Sequence, residues 1–249
     1  MILIICPLTF LAGFIDSIAG GGGLISLPSY MLIGLSPHLA AGTNKFSSSL
    51  GTLFSTIRYA KNKQIHYKSA MISAGAALVG SFFGAQLALL LSDQYLRLCM
   101  VILLPAAAVL LITRKGYGEK NTALELSNSK LIALCVFIGL FLGVYDGFFG
   151  PGTGTFLTLA FTGMVGFDLA TASGNTKVVN LASNIAALTA FIIGGSVTYA
   201  VGIPAAIAGI LGNWIGSGLA VRNGARVIKP VLVGVMALLL AKVLWDVFR

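Results

Sequence analysis

Charge is what this chain has least of. Its 249 residues include 16 Lys or Arg and 7 Asp or Glu, so charged residues make up 9% of it. A soluble domain carries about 25%, and a soluble surface of this size could not be covered with so few. An ordinary cytosolic enzyme is therefore excluded. Disorder is excluded too, because 57% of the residues are hydrophobic. Cysteine is nearly absent: Cys6, Cys99 and Cys135 all lie in apolar runs, with no Cys-x-x-Cys pair. They read as small buried residues rather than disulfides or metal ligands. The only histidines, His38 and His66, stand alone, and no His/Glu metal motif exists. No metal and no cofactor is expected. No basic residue precedes Lys45, so the apolar stretch at the start lacks the positive region of a cleaved signal peptide. The run Gly20–Gly23 is not followed by Gly-Lys-Ser/Thr at P-loop spacing, which argues against nucleotide binding.

What is present is apolar sequence, with a mean hydropathy of +0.95. A spanning helix needs about 20 apolar residues. Ten apolar segments can be drawn, at 2–19, 24–36, 39–57, 69–91, 95–113, 131–149, 154–166, 171–193, 203–221 and 229–247. The reading is an all-α, polytopic membrane protein with eight to ten transmembrane segments in a single membrane domain, 1–249. The net charge of +9 then belongs to cytoplasmic loops rather than to a nucleic-acid surface. The lipid bilayer is the expected partner, with no nucleic acid; the sequence leaves the oligomeric state open, a homo-oligomer included.

Two segments, 24–36 and 154–166, hold 13 residues each, too short to cross a core of about 30 Å at about 1.5 Å per residue. Each follows a glycine-rich break, Gly20-Gly21-Gly22-Gly23 or Gly150-Pro151-Gly152-Thr153-Gly154. Whether they span or re-enter is open at this point. The halves also match in sequence. Gly13-Phe14-Ile15-Asp16 aligns with Gly143-Val144-Tyr145-Asp146 at an offset of 130, as do Gly20 with Gly150, Gly22 with Gly152 and Leu39-Ala40 with Leu169-Ala170. After a two-residue insertion, Asn44-Lys45 aligns with Thr176-Lys177 at an offset of 132, and Gly80 and Gly84 with Gly212 and Gly216. This predicts an internal duplication: repeat one 1–113, a cytoplasmic linker 114–130, and repeat two 131–249. Each repeat has a glycine-broken helix pair plus three further spans.

Charge predicts that the repeats are inverted. The loop 58–68 carries Arg58, Lys61, Lys63 and Lys68, while its counterpart 194–202 has no charge. The loop 92–97 carries only Asp93 and Arg97, while its counterpart 222–229 carries Arg222, Arg226 and Lys229. Where one copy is basic the other is not, so the copies face opposite ways. Both ends of the chain then lie outside, with Arg249 a minor conflict. Inverted repeats with glycine-interrupted segments in matching positions are a transporter design, with substrate near the midplane.

Ionisable residues inside spans are costly and mark sites or buried pairs. Four occur in symmetric positions: Asp16 with Asp146, and Lys45 with Lys177. The lysines, with Thr43, Asn44, Ser48, Asn175, Thr176 and Asn180, form the expected pocket for a small anionic substrate. Asp16 and Asp146 are expected to carry a coupling proton or to brace the lysines. The competing expectation is that each Asp–Lys pair is a salt bridge holding a broken helix. Gly20, Gly22, Gly150 and Gly152 mark the helix breaks. Gly80-x-x-x-Gly84 and Gly212-x-x-x-Gly216 are expected to permit close helix packing.

The chain resembles the TauE/SafE family of sulfite and organosulfonate exporters, also called the toluene sulfonate uptake permease family. The resemblance rests on the stretch from Gly13-Phe14-Ile15-Asp16 through Gly20-Gly21-Gly22-Gly23 to Pro28, then Gly42-Thr43-Asn44-Lys45, then Tyr145-Asp146-Gly147-Phe148-Phe149-Gly150-Pro151-Gly152-Thr153-Gly154. It implies a multi-pass plasma membrane protein that moves small, often sulfur-containing anions: a transporter and not an enzyme. With no nucleotide motif, energy must come from an ion gradient or the membrane potential. The other readings weighed are a passive anion channel and an intramembrane aspartyl protease. Tyr145-Asp146 fits half of the latter's pattern, but its Gly-x-Gly-Asp is absent.

Overall fold

The structure is a computed structural model that describes residues 1–92 and 126–248. The predicted segment 95–113, Cys99 and most of the predicted linker lie outside the described residues. The helices are α1 (Ile2–Ala19), α2 (Gly23–Leu32), α3 (Pro37–Lys61), α4 (Tyr67–Leu90), α5 (Asn128–Phe148), α6 (Thr153–Ala160, continued by a π-helical turn Phe161–Val165), α7 (Leu169–Ile193), α8 (Tyr199–Asn223) and α9 (Ala225–Phe248). The described residues are all-helical, as expected.

Caps set the helix starts. Ser36 accepts a hydrogen bond from the Leu39 N–H ahead of Pro37, which opens α3. Asp168 accepts from the Ala170 and Thr171 N–H groups at the start of α7. The caps place these starts two residues earlier than hydropathy does, because a helix begins where its first N–H groups find acceptors. Helix α5 begins at Asn128, inside the stretch expected to be linker.

Among the described residues, five helices are long and apolar enough to cross a membrane: α1, α4, α5, α7 and α8. Helix α3 is as long, at 25 residues, but more polar. Large apolar side chains face outward, among them Leu3, Met71, Phe83, Phe137, Phe141, Ile207 and Leu211, while the interior is built largely of alanine, serine and threonine. A water-soluble surface would not present so continuous an apolar face. The pattern suits lipid outside and closely packed helices inside, so the protein is a multi-pass membrane protein.

The halves interlock. Helix α1 packs on α8, α4 on α5, α3 on α8, α4 on α7, and α3 meets α7. The close approaches need glycine. A Cβ at Gly80 or Gly84 would fall 2.4 or 2.2 Å from the Leu140 or Val144 carbonyl oxygen of α5. At Gly212 or Gly216 it would fall 2.0 or 2.3 Å from the Phe10 or Phe14 carbonyl oxygen of α1. The small-residue pairs thus serve packing, as expected, and they recur with the halves exchanged.

One expectation changes. The sequence alignment puts the two-residue insertion after Ala170. In the structure, matching contacts already sit at an offset of 132 earlier in the chain: Ser36 and Asp168 cap the third helix of each half, and Ser26 and Thr158 each reach the following helix. The two extra residues therefore lie in the second glycine break. A loop with two positive-φ glycines, Gly150 and Gly152, absorbs them without shifting a packed helix.

Candidate functional site

The two glycine breaks touch. Gly20 and Gly150 adopt φ of 77° and 91°, a region that favours glycine. A Cβ at Gly20 would lie 2.2 Å from the Gly154 carbonyl carbon, and the Thr155 hydroxyl donates to the Ala19 carbonyl at 3.1 Å. The starts of α2 and α6 therefore meet. With 10 residues in α2 and 13 in α6 and its π turn, neither is long enough to cross a bilayer.

The four interior charges form two ion pairs, each joining one half to the other. Lys45 Nζ of α3 lies 2.7 Å from Asp146 Oδ2 of α5. Lys177 Nζ of α7 lies 2.9 Å from Asp16 Oδ2 of α1 and also donates to the Asp16 carbonyl. Each aspartate thus faces a lysine rather than the other aspartate, which is not the carboxylate pair an aspartyl protease needs.

The motif around each lysine also serves the opposite half. At Gly42 a Cβ would fall 1.9 Å from the Ser196 carbonyl oxygen, and at Gly174 1.7 Å from that of Gln64. Thr43 Oγ1 accepts from the Thr198 N–H at 2.9 Å, and Asn175 Oδ1 accepts from the His66 N–H at 2.9 Å. Each bond ties the loop that opens α8 or α4. The next residue reaches the half-helix of its own half: Ser26 donates to Asn44 Oδ1 at 2.6 Å, and the Thr158 and Thr176 hydroxyls lie 3.1 Å apart. The lysine follows. Four consecutive residues thus supply a close approach, a loop tie, a half-helix tie and an interhalf ion pair. Thr43, Asn175 and Thr176 are fully buried, and their side-chain oxygens already have partners, while Asn175 Nδ2 has none.

The two ion pairs sit in different surroundings. Asp146 accepts from the Ser183 hydroxyl at 2.5 Å, and Lys45 donates to Asn184 Oδ1 at 3.0 Å. Both charges are satisfied and dry, with side chains 5% and 3% exposed. Asp16 is 17% exposed, and its Oδ1 accepts from the Gly22 N–H at 3.3 Å. Beside it lies a cavity of about 30 Å³ bordered by the start of α2 at Gly22 and Gly23 and by Ser26, Ser47, Ser48, Thr52 and Asn213. That is room for about two waters. Ser48 also donates weakly to Asn44 Oδ1, at 3.4 Å. Asn180 is buried in α7, where its carbonyl accepts from Ser183.

The expected residues thus divide. Asp16 and Ser48 border the cavity, and Asn44 and Lys177 stand directly behind them. Lys45, Asp146, Asn175, Thr176 and Asn180 lie outside its lining, as does Thr43. Sequence reasoning missed Asn213, whose Oδ1 is buried without a partner. The signal was available, as Asn213 is the lone amide in the apolar segment 203–221. Among the described residues no cluster of metal-ligating side chains occurs.

The sequence pattern of the family described as sulfite exporter TauE/SafE matches residues 5–243. The chain is 36% identical over 236 residues to "Probable membrane transporter protein YfcA" of Escherichia coli (strain K12), covering 95% of this chain and 87% of that protein. It is 35% identical over 239 residues to "Probable membrane transporter protein ORF9" of Sinorhizobium sp., covering 95% and 90%. A "Probable membrane transporter protein" of Haemophilus influenzae is 31% identical over 237 residues, covering 95% and 92%. No solved structure matches the chain. With the family pattern spanning nearly its whole length, and with relatives named as transporters rather than enzymes, the chain belongs to the sulfite exporter TauE/SafE family of membrane proteins.

Proposed function

We propose that the protein is a secondary transporter in the plasma membrane that exports small sulfur-containing or organic anions. Two inverted repeats, 1–113 and 131–249, alternate access around a central site. One observation carries this reading: each half supplies a lysine to the other half's aspartate, on either side of the touching helix breaks. Contacts that read the same with the halves exchanged are what a pseudo-two-fold axis produces. Ion pairs across that axis can break and re-form as the halves rock.

The substrate is read as anionic from the local charge. Short helices begin at the centre, where their N-termini favour negative charge. Two ammonium groups lie beside them. The residues proposed to take part are Lys45 and Lys177, with Asn44 and Ser48 next to the cavity; Thr43, Asn175, Thr176 and Asn180 shape the segments that carry them. Asp16 and Asp146 compensate the lysines when no anion is present.

The test is transport by purified protein in liposomes against a panel of sulfite, sulfoacetate, thiosulfate and small carboxylates. Replacing both Lys45 and Lys177 by Ala is expected to abolish flux of any anion the wild type carries. Flux at the wild-type rate in a folded double variant would overturn the anion-site reading. Flux that never saturates with concentration would favour a channel.

A further inference from the structure

The two ion pairs occupy matching positions but are packed differently: Asp16 borders the cavity, whereas Lys45 and Asp146 lie outside its lining. The difference is written in three side chains. Ser183, which bonds Asp146, is matched by Gly51. Asn184, which bonds Lys45, is matched by Thr52, which lines the cavity. Ser81, whose hydroxyl donates to the Ser183 carbonyl at 2.6 Å, is matched by Asn213. The same frame is therefore plugged on one side and hollow on the other.

The hollow side has two features that together define a ligand. Its charge balance is neutral: the Asp16 carboxylate already compensates Lys177. A bare anion entering there would meet that carboxylate, and a buried charge without a partner is costly. The cavity also holds an acceptor in want of a donor, since Asn213 is 4% exposed and its Oδ1 has no partner. An anion alone offers no donor; an anion that arrives with a proton does. We infer that the Asp16 cavity is the closed form of the substrate site, which widens as the halves move to take a small monovalent oxyanion together with one proton.

The proton neutralises the Asp16 carboxylate to a carboxylic acid, whose O–H becomes a donor within the cavity. The Lys177 ammonium keeps its proton and transfers its pairing from Asp16 to the anion. Charge is conserved at the site, with one negative and one positive group before and after. The Ser48 and Thr52 hydroxyls and the α2 N-terminus face the anion's oxygens. Lys177 of α7 and Tyr59 of α3, whose hydroxyl donates to the Ser17 carbonyl, are the titratable groups facing Asp16. The cavity residues contributed by α2, α3 and α8 carry no charge. Carriage of a monoanion with one proton is electroneutral, so its direction follows the substrate and pH gradients rather than the membrane potential. This inference rests on the proposed anion transport and names its site and its co-ion.

The experiment is calorimetric titration of the detergent-purified protein with the monoanions methanesulfonate, ethanesulfonate and formate. These probes stay ionised between about pH 6 and pH 8. Two buffers of different ionisation enthalpy count the protons taken up. For any probe that binds, wild type is expected to take up about one proton per anion, with affinity falling about tenfold per pH unit where Asp16 is ionised. Asp16→Asn should take up none and bind with a flat pH profile, while Asp146→Asn keeps the proton. Asn213→Leu, which removes the unpartnered acceptor at nearly constant shape and leaves both ion pairs in place, should weaken binding at least tenfold.

Binding by wild type without proton uptake overturns the inference while leaving anion transport standing. So does loss of the proton in Asp146→Asn with retention in Asp16→Asn. If Asp16→Asn does not fold, undiminished binding by Asn213→Leu overturns it. If wild type binds none of the probes, the anion reading itself falls and the inference with it.

Discussion

The Lys45–Asp146 and Lys177–Asp16 pairs are one design built twice and finished differently. Around the Lys45–Asp146 pair, a serine hydroxyl and an asparagine carbonyl supply further hydrogen bonds, and both charged side chains are buried. Around Asp16, a glycine stands where that serine would be, and a cavity opens. The frame is the same on both sides: glycine approach, loop tie, half-helix tie and ion pair. Only the packing around the carboxylate differs. The frame is thus common to both pairs, while a few side chains set the packing beside each carboxylate.

The sharpest way to break this comparison is to remove the carboxylates one at a time. Asp146→Asn leaves Lys45 buried without a counter-charge and is expected to cost about 3–5 kcal/mol. Asp16→Asn is expected to cost less, about half as much, because water in the cavity can solvate Lys177. Thermal melting in detergent measures both, and equal losses would erase the distinction between latch and cavity.

A smaller effect comes from Ser183→Ala, which removes the hydroxyl from Asp146 and should cost about 1.5–3 kcal/mol, as for a hydrogen bond to a charged group. The converse change makes the hollow side copy the plugged one. Gly51→Ser alone would press on the Asn213 amide, since a Cβ there falls 2.5 Å from Nδ2. Combined with Asn213→Ser it should be tolerated, raise stability by about 1 kcal/mol, and reduce anion flux in liposomes at least tenfold. Unchanged flux would show that the cavity is not on the transport path. The smallest effects belong to the shared frame. Thr43→Ala and Asn175→Ala each lose one tie to a helix-opening loop and should each cost about 1 kcal/mol. Similar melting shifts for the two would support the symmetry of the frame, and widely different shifts would argue against it.

Much of this was legible in the sequence. The bilayer environment follows from sparse charge and long apolar runs. The helix breaks follow from glycine clusters, and the four interior charges stand out because such residues are rare inside spans. Pairing was less legible. The sequence allows Lys45 to brace Asp16 within its own half, and nothing in the spacing favours the exchange with Asp146. The role of Gly-Thr-Asn-Lys was also hidden. Read alone, Thr43 and Asn175 are polar groups suited to an anion; in the structure their oxygens already hold the loops of the opposite half. The insertion was misplaced because Leu169-Ala170 matches Leu39-Ala40 by composition, whereas caps and side-chain bonds put the extra residues in the glycine break.

The sequence by itself determined the solvent and the helical class. These depend on composition and periodicity, which each segment carries locally. Tertiary structure alone decided which lysine meets which aspartate and which side keeps a cavity. Those outcomes depend on how α1 crosses α8 and α4 crosses α5, and on whether Gly51 or Ser183 stands beside a carboxylate. Such contacts join residues far apart along the chain, more than a hundred positions for both ion pairs, and no local pattern encodes them.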